Sequence, residues 1–366
     1  HRAILSARPG NMGSAAAALV PEPTSLPRVR VLCLPDVDRA IGGVKQLHRH
    51  VEHLTALGWD AAMLTEAPGF RPPWFSSSAA SLSLAESHAR GELDPGSCLL
   101  LLPETYLGVN LASFRGLDLS GLARVIFNQN AYYSYGQFGE HTPAVLRAFY
   151  DNPAVLQVLS VSEDTHAFLA RNLGLVDGRL SRIVNAIEPM FRPDLPKANR
   201  MHWMPRKNPD HVQAVLLGLQ RCGLRHSGGW QGEPLVQVSH QQVAERLNGG
   251  RLFLAFGHPE GFGLPIAEAM AAGCWVVGYS GGGGRELFRF GASEMVAFGD
   301  WPGYVAAVQR AFDSFAEQPR ETELRLQRQA MAVRTLYSAE LERATIAQAW
   351  ERIATAFTAW RESLQA

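Results

Sequence analysis

The chain has 366 residues, 46% hydrophobic and 19% charged, and 34 Lys and Arg balance 34 Asp and Glu. A net charge of zero argues against a general nucleic-acid-binding protein, and the length exceeds what one hydrophobic core usually spans, so two domains are predicted. The four cysteines (Cys33, Cys98, Cys222 and Cys274) have no C-x-x-C spacing, which predicts reduced residues of a cytoplasmic protein, without disulfides or zinc.

The first half of the chain alternates short apolar runs with helical patterns. Residues 1–27 contain several prolines and small residues and are predicted to form a poorly ordered tail. A strand at 28–34 is followed by a helix from about Gly43 to Leu57. Further strands are predicted at 60–64, 98–102, 124–128, 155–161 and 182–186, and 67–81 is a predicted loop. This alternation predicts a parallel, doubly wound α/β domain over 28–188.

The second half repeats the pattern after a proline-rich linker at 189–198. Strands are predicted at 202–204, 236–238, 252–256, 275–279 and 295–298, although glycines weaken the pattern over 224–237. The second domain is therefore predicted at 199–345. The tail has helical periodicity from about Glu321 to Gln365, and its last helix is placed at 346–366.

Two glutamates flank a glycine-rich turn after the strand that ends near residue 256. Glu260 falls in the loop, Pro265 suits the first position of a helix, and Glu268 lies about one turn into that helix. Ligands bind beyond the carboxyl ends of strands in open α/β sheets, so both carboxylates are predicted to face one cleft. The helix N-terminus suits a phosphate, and a carboxylate one turn in can bind the vicinal diol of a ribose. These groups together predict a nucleotide-sugar site.

A second strand–glycine–helix unit follows at once. The predicted strand at 275–279 leads into four consecutive glycines, Gly281 to Gly284, and then into a predicted helix from Arg285. Such a run is costly in an ordered chain unless a ligand or close packing requires it. A phosphate-binding turn is one interpretation of this run, and close backbone packing is the other.

The sequence EGFGLPIAEAMAAGCWVVGYSGGGGREL, which begins at Glu260, resembles the retaining GT-B glycosyltransferases of family four. Their signature is two glutamates separated by seven residues, then a strand and a glycine-rich turn. Four other segments resemble family motifs in the expected order: Ile41–Val44, Val161–Asp164, Ile183–Glu188 and Met204–Asn208. The resemblance covers roughly residues 28–350.

The resemblance implies a GT-B fold, with two Rossmann-like domains facing across a cleft and the last helix packing back on the first domain. It implies a nucleoside-diphosphate-sugar co-substrate, no cofactor and no metal. Arg206 and Lys207 would bind the diphosphate, Glu268 the ribose, and Glu260 the hydroxyls of the donor sugar. Backbone of Gly261, Phe262, Gly263, Leu264, Gly282, Gly283 and Gly284 would contact the donor, and Gly42, Gly43 and Lys45 would line the cleft from the first domain.

The chain departs from the family at 128–130, where many relatives carry a histidine near the catalytic centre. Asn130 is predicted to bind sugar or acceptor, and a simple strand cap is an equal alternative. His258, two residues before Glu260, is equally consistent with a cleft residue and with a loop histidine without a role. Asp36 and Asp38 form a D-x-D triplet too early in the chain for the other glycosyltransferase fold. Gly281-x-Gly283 lacks the third glycine of an NAD fingerprint.

The sequence thus predicts a retaining, metal-independent glycosyltransferase that acts on an acceptor hydroxyl. A non-catalytic GT-B subunit and a GT-B sugar-nucleotide epimerase stay as alternatives. A phosphorylase with the GT-B fold is less favoured, because the sequence shows no lysine segment for pyridoxal phosphate. The base, the sugar, the acceptor and the oligomeric state are left open. Weak contact with the cytoplasmic membrane face is also left open, since no strongly basic amphipathic stretch supports it.

Overall fold

The computed structural model describes residues 26–135, 141–222 and 228–365, so most of the tail predicted at 1–27 lies outside the described residues.

The first sheet is entirely parallel. Seven strands form this sheet in the order β3-β2-β1-β4-β5-β6-β7, which is the doubly wound Rossmann order with one added strand. They are β1 (Arg28–Leu32), β2 (Ala61–Thr65), β3 (Ser81–Ser83), β4 (Cys98–Pro103), β5 (Ala123–Asn128), β6 (Val155–Ser160) and β7 (Leu180–Arg182).

The second sheet is also parallel and has five strands in the order β12-β11-β10-β8-β9. They are β8 (Ala198–Trp203), β9 (Gln231–Pro234), β10 (Gly250–Ala255), β11 (Trp275–Gly278) and β12 (Glu294–Met295). The chain places β9 on one side of β8 and β10 on the other. The gap between β8 and β10 is therefore the topological switch point of this sheet. In the first sheet the corresponding point lies between β1 and β4.

The helices connect the strands and cover both sheets. Their bounds are α1 (Gly42–Ala56), α2 (Leu84–Ala89), α3 (Pro143–Tyr150), α4 (Glu163–Asn172), α5 (Pro209–Arg221), α6 (His240–Gly249), α7 (Leu264–Ala271), α8 (Trp301–Glu317), α9 (Pro319–Leu336) and α10 (Ala339–Ser363). The apolar strands β1, β4 and β5 are buried almost throughout, as expected for a parallel sheet covered on both faces. None of the helices in the described ranges is long and apolar enough to cross a membrane.

Several predicted elements differ from the structure. The strand predicted at 182–186 lies earlier in the chain, as β7 (Leu180–Arg182). It does not continue beyond Arg182, because the backbone N–H groups of Val184 and Ala186 donate to the side chains of Thr345 and Glu342 in α10 and not to a neighbouring strand. The strand predicted at 236–238 is wrong: β9 ends at Pro234, and Gln237 has a φ of 53°, a left-handed conformation that a strand does not accommodate. In place of the helix predicted from Arg285, a 3₁₀ helix spans Gly283–Phe290.

The C-terminal segment returns to the first domain. Trp350 of α10 is buried, and its Nε1 donates to Nε2 of His50 in α1 at 2.7 Å. Glu342 of α10 accepts from His53 at 2.7 Å and pairs with Arg49 at 3.3 Å, both residues of α1. The returning helix begins at Ala339, seven residues before the predicted start at 346. It fixes α1, which forms one side of the cleft.

Candidate functional site

A cavity of about 1090 Å³ lies between the two sheets and is lined from both sides of the molecule. From the first half it is lined by the segments that follow β1 and β4, and from the second half by the segments that follow β8 and β10. The cavity therefore lies at the topological switch points of both sheets, where doubly wound proteins bind ligands. Among the predicted site residues it includes Gly42, Gly43, Lys45, Asn130, Arg206, Lys207, Glu260, Phe262, Gly263, Leu264 and Glu268.

Glu260 and Lys207 form an ion pair in this cavity. Lys207 Nζ lies 2.9 Å from Glu260 Oε1 and donates to the carbonyl oxygen of Pro259 at 2.7 Å. Arg206 is exposed and has no ion-pair or hydrogen-bond partner within the described part of the chain. The lining thus contains the Glu260–Lys207 ion pair and, at Arg206 and Arg39, guanidinium groups without a partner in the described ranges, which suits the bidentate binding of an anion.

Glu268 belongs to a buried ionic cluster that joins the two halves of the molecule. His240 of α6 hydrogen-bonds Glu268 through Nε2 at 2.9 Å, and its Nδ1 lies 2.9 Å from Glu188 Oε2 in an ion pair. Lys45 of α1 lies 3.5 Å from Glu268 and 3.4 Å from Glu188. Glu188 also accepts from Arg49 at 2.7 Å. The carboxylate predicted to bind ribose is therefore held in place by two cationic side chains.

The electrostatics of the cluster keep His240 protonated. Burial opposes protonation, as does the neighbouring Lys45, but the hydrogen bonds to Glu188 and Glu268 outweigh both and raise the pKa of the imidazole to about 9. Burial likewise disfavours the ionised Glu188, yet its contacts with His240, Lys45 and Arg49 hold the pKa of this carboxyl at about 2. His240 and Glu188 are thus both charged near neutral pH.

This cluster predicts a pH-dependent stability that disappears in His240→Gln. Because the pKa of His240 is about 9 in the folded protein against an ordinary value of 6.5, its stabilisation is complete below pH 6.5 and is lost as pH rises through 9. The unfolding free energies of wild type and variant, measured by urea denaturation, should differ by on the order of 3 kcal/mol near pH 6 and converge near pH 10. A difference that stays constant over this range would contradict the assignment.

Gly261 is in close contact with the first half of the chain. Its carbonyl oxygen accepts from Ser162 Oγ at 2.5 Å and from Thr165 Oγ1 at 2.9 Å, at the start of α4. A β-carbon at Gly261 would collide with the carbonyl oxygen of Gln129. Gly261 therefore lies against the first domain and is not part of the cavity lining. The glycine is required by close backbone packing.

Gly261→Ala is accordingly expected to push the halves of the molecule apart and to destabilise the protein by roughly 1–3 kcal/mol or more. Gly249→Ala is the matched control, because a β-carbon at Gly249 meets nothing within 4 Å and its φ is negative. Small-angle X-ray scattering and thermal unfolding of both variants measure the effect. A Gly261→Ala protein with the wild-type radius of gyration and melting temperature would refute this packing role.

The glycines at 282–284 also lie outside the cavity lining. A β-carbon at Gly282 would collide with the Tyr132 hydroxyl, and one at Gly283 with the carbonyl of Gly261. Of the two interpretations of this glycine run, the observed geometry favours close packing. Glu286, which follows the run, accepts from Arg182 at 2.5 Å and from the backbone N–H of Glu163 at 2.6 Å, which holds the two halves together.

The segment 128–130 contributes to the same cavity from the first domain. Asn130 Nδ2 donates to the carbonyl of Pro259 at 3.3 Å and therefore reaches across to the loop that carries Glu260. The side chain of Gln129 donates to the carbonyl of Gly43 at 3.1 Å, which fixes the glycine loop. Asn128 is buried and donates to Tyr150, so it does not reach the cavity.

Several residues at the site were not singled out from the sequence. Glu104, directly after β4, lines the cavity, and its burial raises the pKa of its carboxyl to about 7, although the Gln129 N–H donates to it. Trp74 comes from the predicted 67–81 loop and lies beside His240.

His258, for which the sequence left a cleft role open, stacks on Phe298 with 4.2 Å between the ring centroids and does not line the cavity. The described ranges contain no group of three or more His, Cys, Asp or Glu that could hold a metal ion.

A protein family model matches part of the second half of the chain. Residues 233–330, which include both glutamates, match the family model of the glycosyl transferases group 1. Over 104 residues the chain is 29% identical to an α-1,6-glucosyltransferase of Actinobacillus pleuropneumoniae serotype 7, a match that covers 26% of this chain. The match spans 32% of that relative, about a third of its length.

Similar solved structures extend the likeness to nearly the whole chain. Sucrose-phosphate synthase from Thermosynechococcus elongatus has a TM-score of 0.67 at 16% identity and covers 90% of this chain and 100% of its own. HepE of Anabaena in complex with UDP has a TM-score of 0.61 at 14% identity, covering 88% and 99%. At such identities the likeness shows the fold. The chain therefore has the GT-B fold that the family resemblance implied, and its residues 233–330 match the glycosyl transferases group 1 model.

Proposed function

We propose that this chain is a glycosyltransferase that moves a sugar from a nucleoside diphosphate sugar to an acceptor hydroxyl with retention of anomeric configuration. The observation that carries the proposal is the set of Arg206, Glu260 and Glu268 around one cavity between two Rossmann-like domains. The group 1 domain at 233–330 supports the reaction class. The UDP in HepE and the α-1,6-glucosyltransferase relative favour UDP-glucose as the first donor to test.

The charges around the cavity suggest a role for each side chain. Arg206, which has no partner in the described ranges, binds the diphosphate, and Lys207 adds a second positive charge. Together they offset the negative charge that grows on the leaving phosphate, without any need for a metal. Glu268 accepts hydrogen bonds from the ribose hydroxyls, and Glu260 orients the hydroxyls of the donor sugar.

The first domain provides the acceptor side of the cleft. Gly42, Gly43 and Asn130 line it there, and Asn130 contacts the loop before Glu260. In a front-face reaction the leaving phosphate helps to deprotonate the attacking hydroxyl, so no protein nucleophile is required. The contacts at Gly261 keep the two halves together beside the cavity.

The test is product analysis with UDP-glucose and a panel of hydroxylated acceptors, followed by NMR of the anomeric proton. The proposal expects an α-linked product from the α-linked donor. A β-linked product would exclude retention, and conversion of the donor alone into another UDP-sugar would identify an epimerase. Tight donor binding without transfer or hydrolysis would identify a non-catalytic subunit, for which the departure at 128–130 is the only supporting feature.

A further inference from the structure

Arg39 is a charged residue of the cavity lining that has no part in the proposed donor site. It lies in the loop between β1 and α1, is exposed, and makes no hydrogen bond or ion pair within the described ranges. The first half of the chain adds two other charged side chains to the lining. Lys45 is paired with Glu268 and Glu188, and Glu104 is buried. Among the described residues, Arg39 is therefore the exposed, unpaired charge on the first-domain wall.

The carboxylates closest to Arg39 in the chain do not neutralise it. Both oxygens of Asp36 accept from backbone N–H groups, that of Glu66 at 2.8 Å and that of Ala67 at 2.9 Å. Asp38 is exposed, makes no ion pair with Arg39 and is not part of the cavity lining. The Asp36 contacts also hold the β1–α1 loop against the segment that follows β2, so the backbone that carries Arg39 is fixed without a ligand.

The two unpaired guanidinium groups of the lining, Arg39 and Arg206, belong to opposite walls of the cavity. Arg206 follows β8 in the second half of the chain and is proposed to bind the donor diphosphate. Arg39 follows β1 in the first half, on the side proposed for the acceptor, and the nearby Gly42 and Gly43 line the same wall. A guanidinium binds an oxyanion through two parallel hydrogen bonds, so a second one on the acceptor side favours an acceptor that is itself an anion.

We propose that Arg39 binds a phosphate or carboxylate group of the acceptor, so that the acceptor is an anionic hydroxyl compound of the sugar phosphate or sugar acid class. Arg39 then determines acceptor specificity and takes no part in donor binding. This inference rests on the proposed function, in which the second domain holds the donor and the first domain holds the acceptor.

The test is a calorimetric titration of anions into protein saturated with UDP, or with GDP, dTDP or ADP if one of these binds instead. The nucleotide occupies the diphosphate site, so a further oxyanion reports on a second site. Inorganic phosphate, glucose 6-phosphate, glucuronate and glucose are the probes, and they distinguish a phosphate, a carboxylate and a neutral sugar. Wild type is expected to bind at least one of the anions more tightly than glucose. Arg39→Gln should weaken that binding roughly tenfold or more, because charged hydrogen bonds are lost.

Arg200→Gln is the matched control, because Arg200 is also exposed and makes no hydrogen bond or ion pair in the described ranges, but it does not line the cavity. Its affinities for the anions and for the nucleotide should equal those of wild type. Arg39→Lys keeps the charge without the planar fork, so its anion affinity should fall between those of wild type and Arg39→Gln.

Three results would overturn the inference while leaving the proposed function intact. In the first, nucleotide-bound wild type binds none of the anions more tightly than glucose. In the second, Arg39→Gln binds the anions as tightly as wild type does. In the third, Arg39→Gln loses as much nucleotide affinity as Arg206→Gln, which would place Arg39 at the donor diphosphate. If wild type binds none of the four nucleotides, the proposed function fails and this inference fails with it.

Discussion

Arg206→Ala is expected to lower kcat/KM for donor turnover about 100- to 1000-fold. The loss follows from the charge distribution of the cavity, in which Lys207 is already paired with Glu260 at 2.9 Å, whereas Arg206 has no partner in the described ranges. Removing a preorganised group that stabilises charge in the transition state typically has an effect of this size. Steady-state kinetics of donor hydrolysis, or of transfer once an acceptor is found, measures it.

Two further variants separate charge from geometry. Arg206→Lys keeps the positive charge but loses the planar fork that matches a phosphate, so its activity should fall between those of wild type and Arg206→Ala. Arg200→Ala removes an exposed arginine of β8 away from the cavity lining and should retain full activity. Full activity of Arg206→Ala would remove Arg206 from the diphosphate site.

Glu268→Gln is expected to weaken UDP binding at least tenfold. Hydrogen bonds that involve a charged group contribute about 1.5–3 kcal/mol each, and a ribose diol donates two to one carboxylate. Both Glu268→Gln and Glu268→Ala remove one carboxylate from the cations His240 and Lys45, but the glutamine keeps the shape of the side chain and an oxygen that can still accept from His240. Isothermal titration calorimetry measures the affinity, and circular dichroism checks the fold.

Glu188→Gln is the matched control for Glu268→Gln. Glu188 contacts the same His240 and Lys45 but does not line the cavity. Its replacement should lower the melting temperature through the lost ion pairs while most of the UDP affinity is retained. Equal losses of affinity in the two variants would show that the cluster acts only as a structural brace, and that Glu268 does not contact the nucleotide.

The sequence predicts most of the strands because parallel strands buried on both faces appear as short apolar runs, such as 98–103 and 252–255. It also predicts that Glu260 and Glu268 meet one cleft, since the glycines and Pro265 fix a turn and a helix start between them. Strand 236–238 failed because an apolar run does not reveal the left-handed backbone at Gln237. That segment instead lines the cavity.

The ionic cluster could not be predicted, because its members come from distant positions in the chain. The sequence predicts Lys45 and Glu268 as site residues but does not indicate that they meet Glu188 and His240, and only the folded chain brings the four within about 3.5 Å. The run from Gly281 to Gly284 shows a different limit of sequence analysis. Its composition indicates that some group approaches the backbone closely, but it does not identify that group. In the structure Tyr132 lies against Gly282 and Gly261 lies against Gly283.

A thermal-shift series with UDP, GDP, dTDP and ADP, each with and without its sugar, tests most directly whether the cavity binds a nucleotide sugar. Ligand at a hundred times its dissociation constant stabilises the folded state by about 2.7 kcal/mol, which raises the melting temperature by a few degrees. We expect one nucleotide to shift wild type clearly and Glu268→Gln much less. No shift with any of the four nucleotides or their sugars would contradict a nucleotide-sugar site in this cavity.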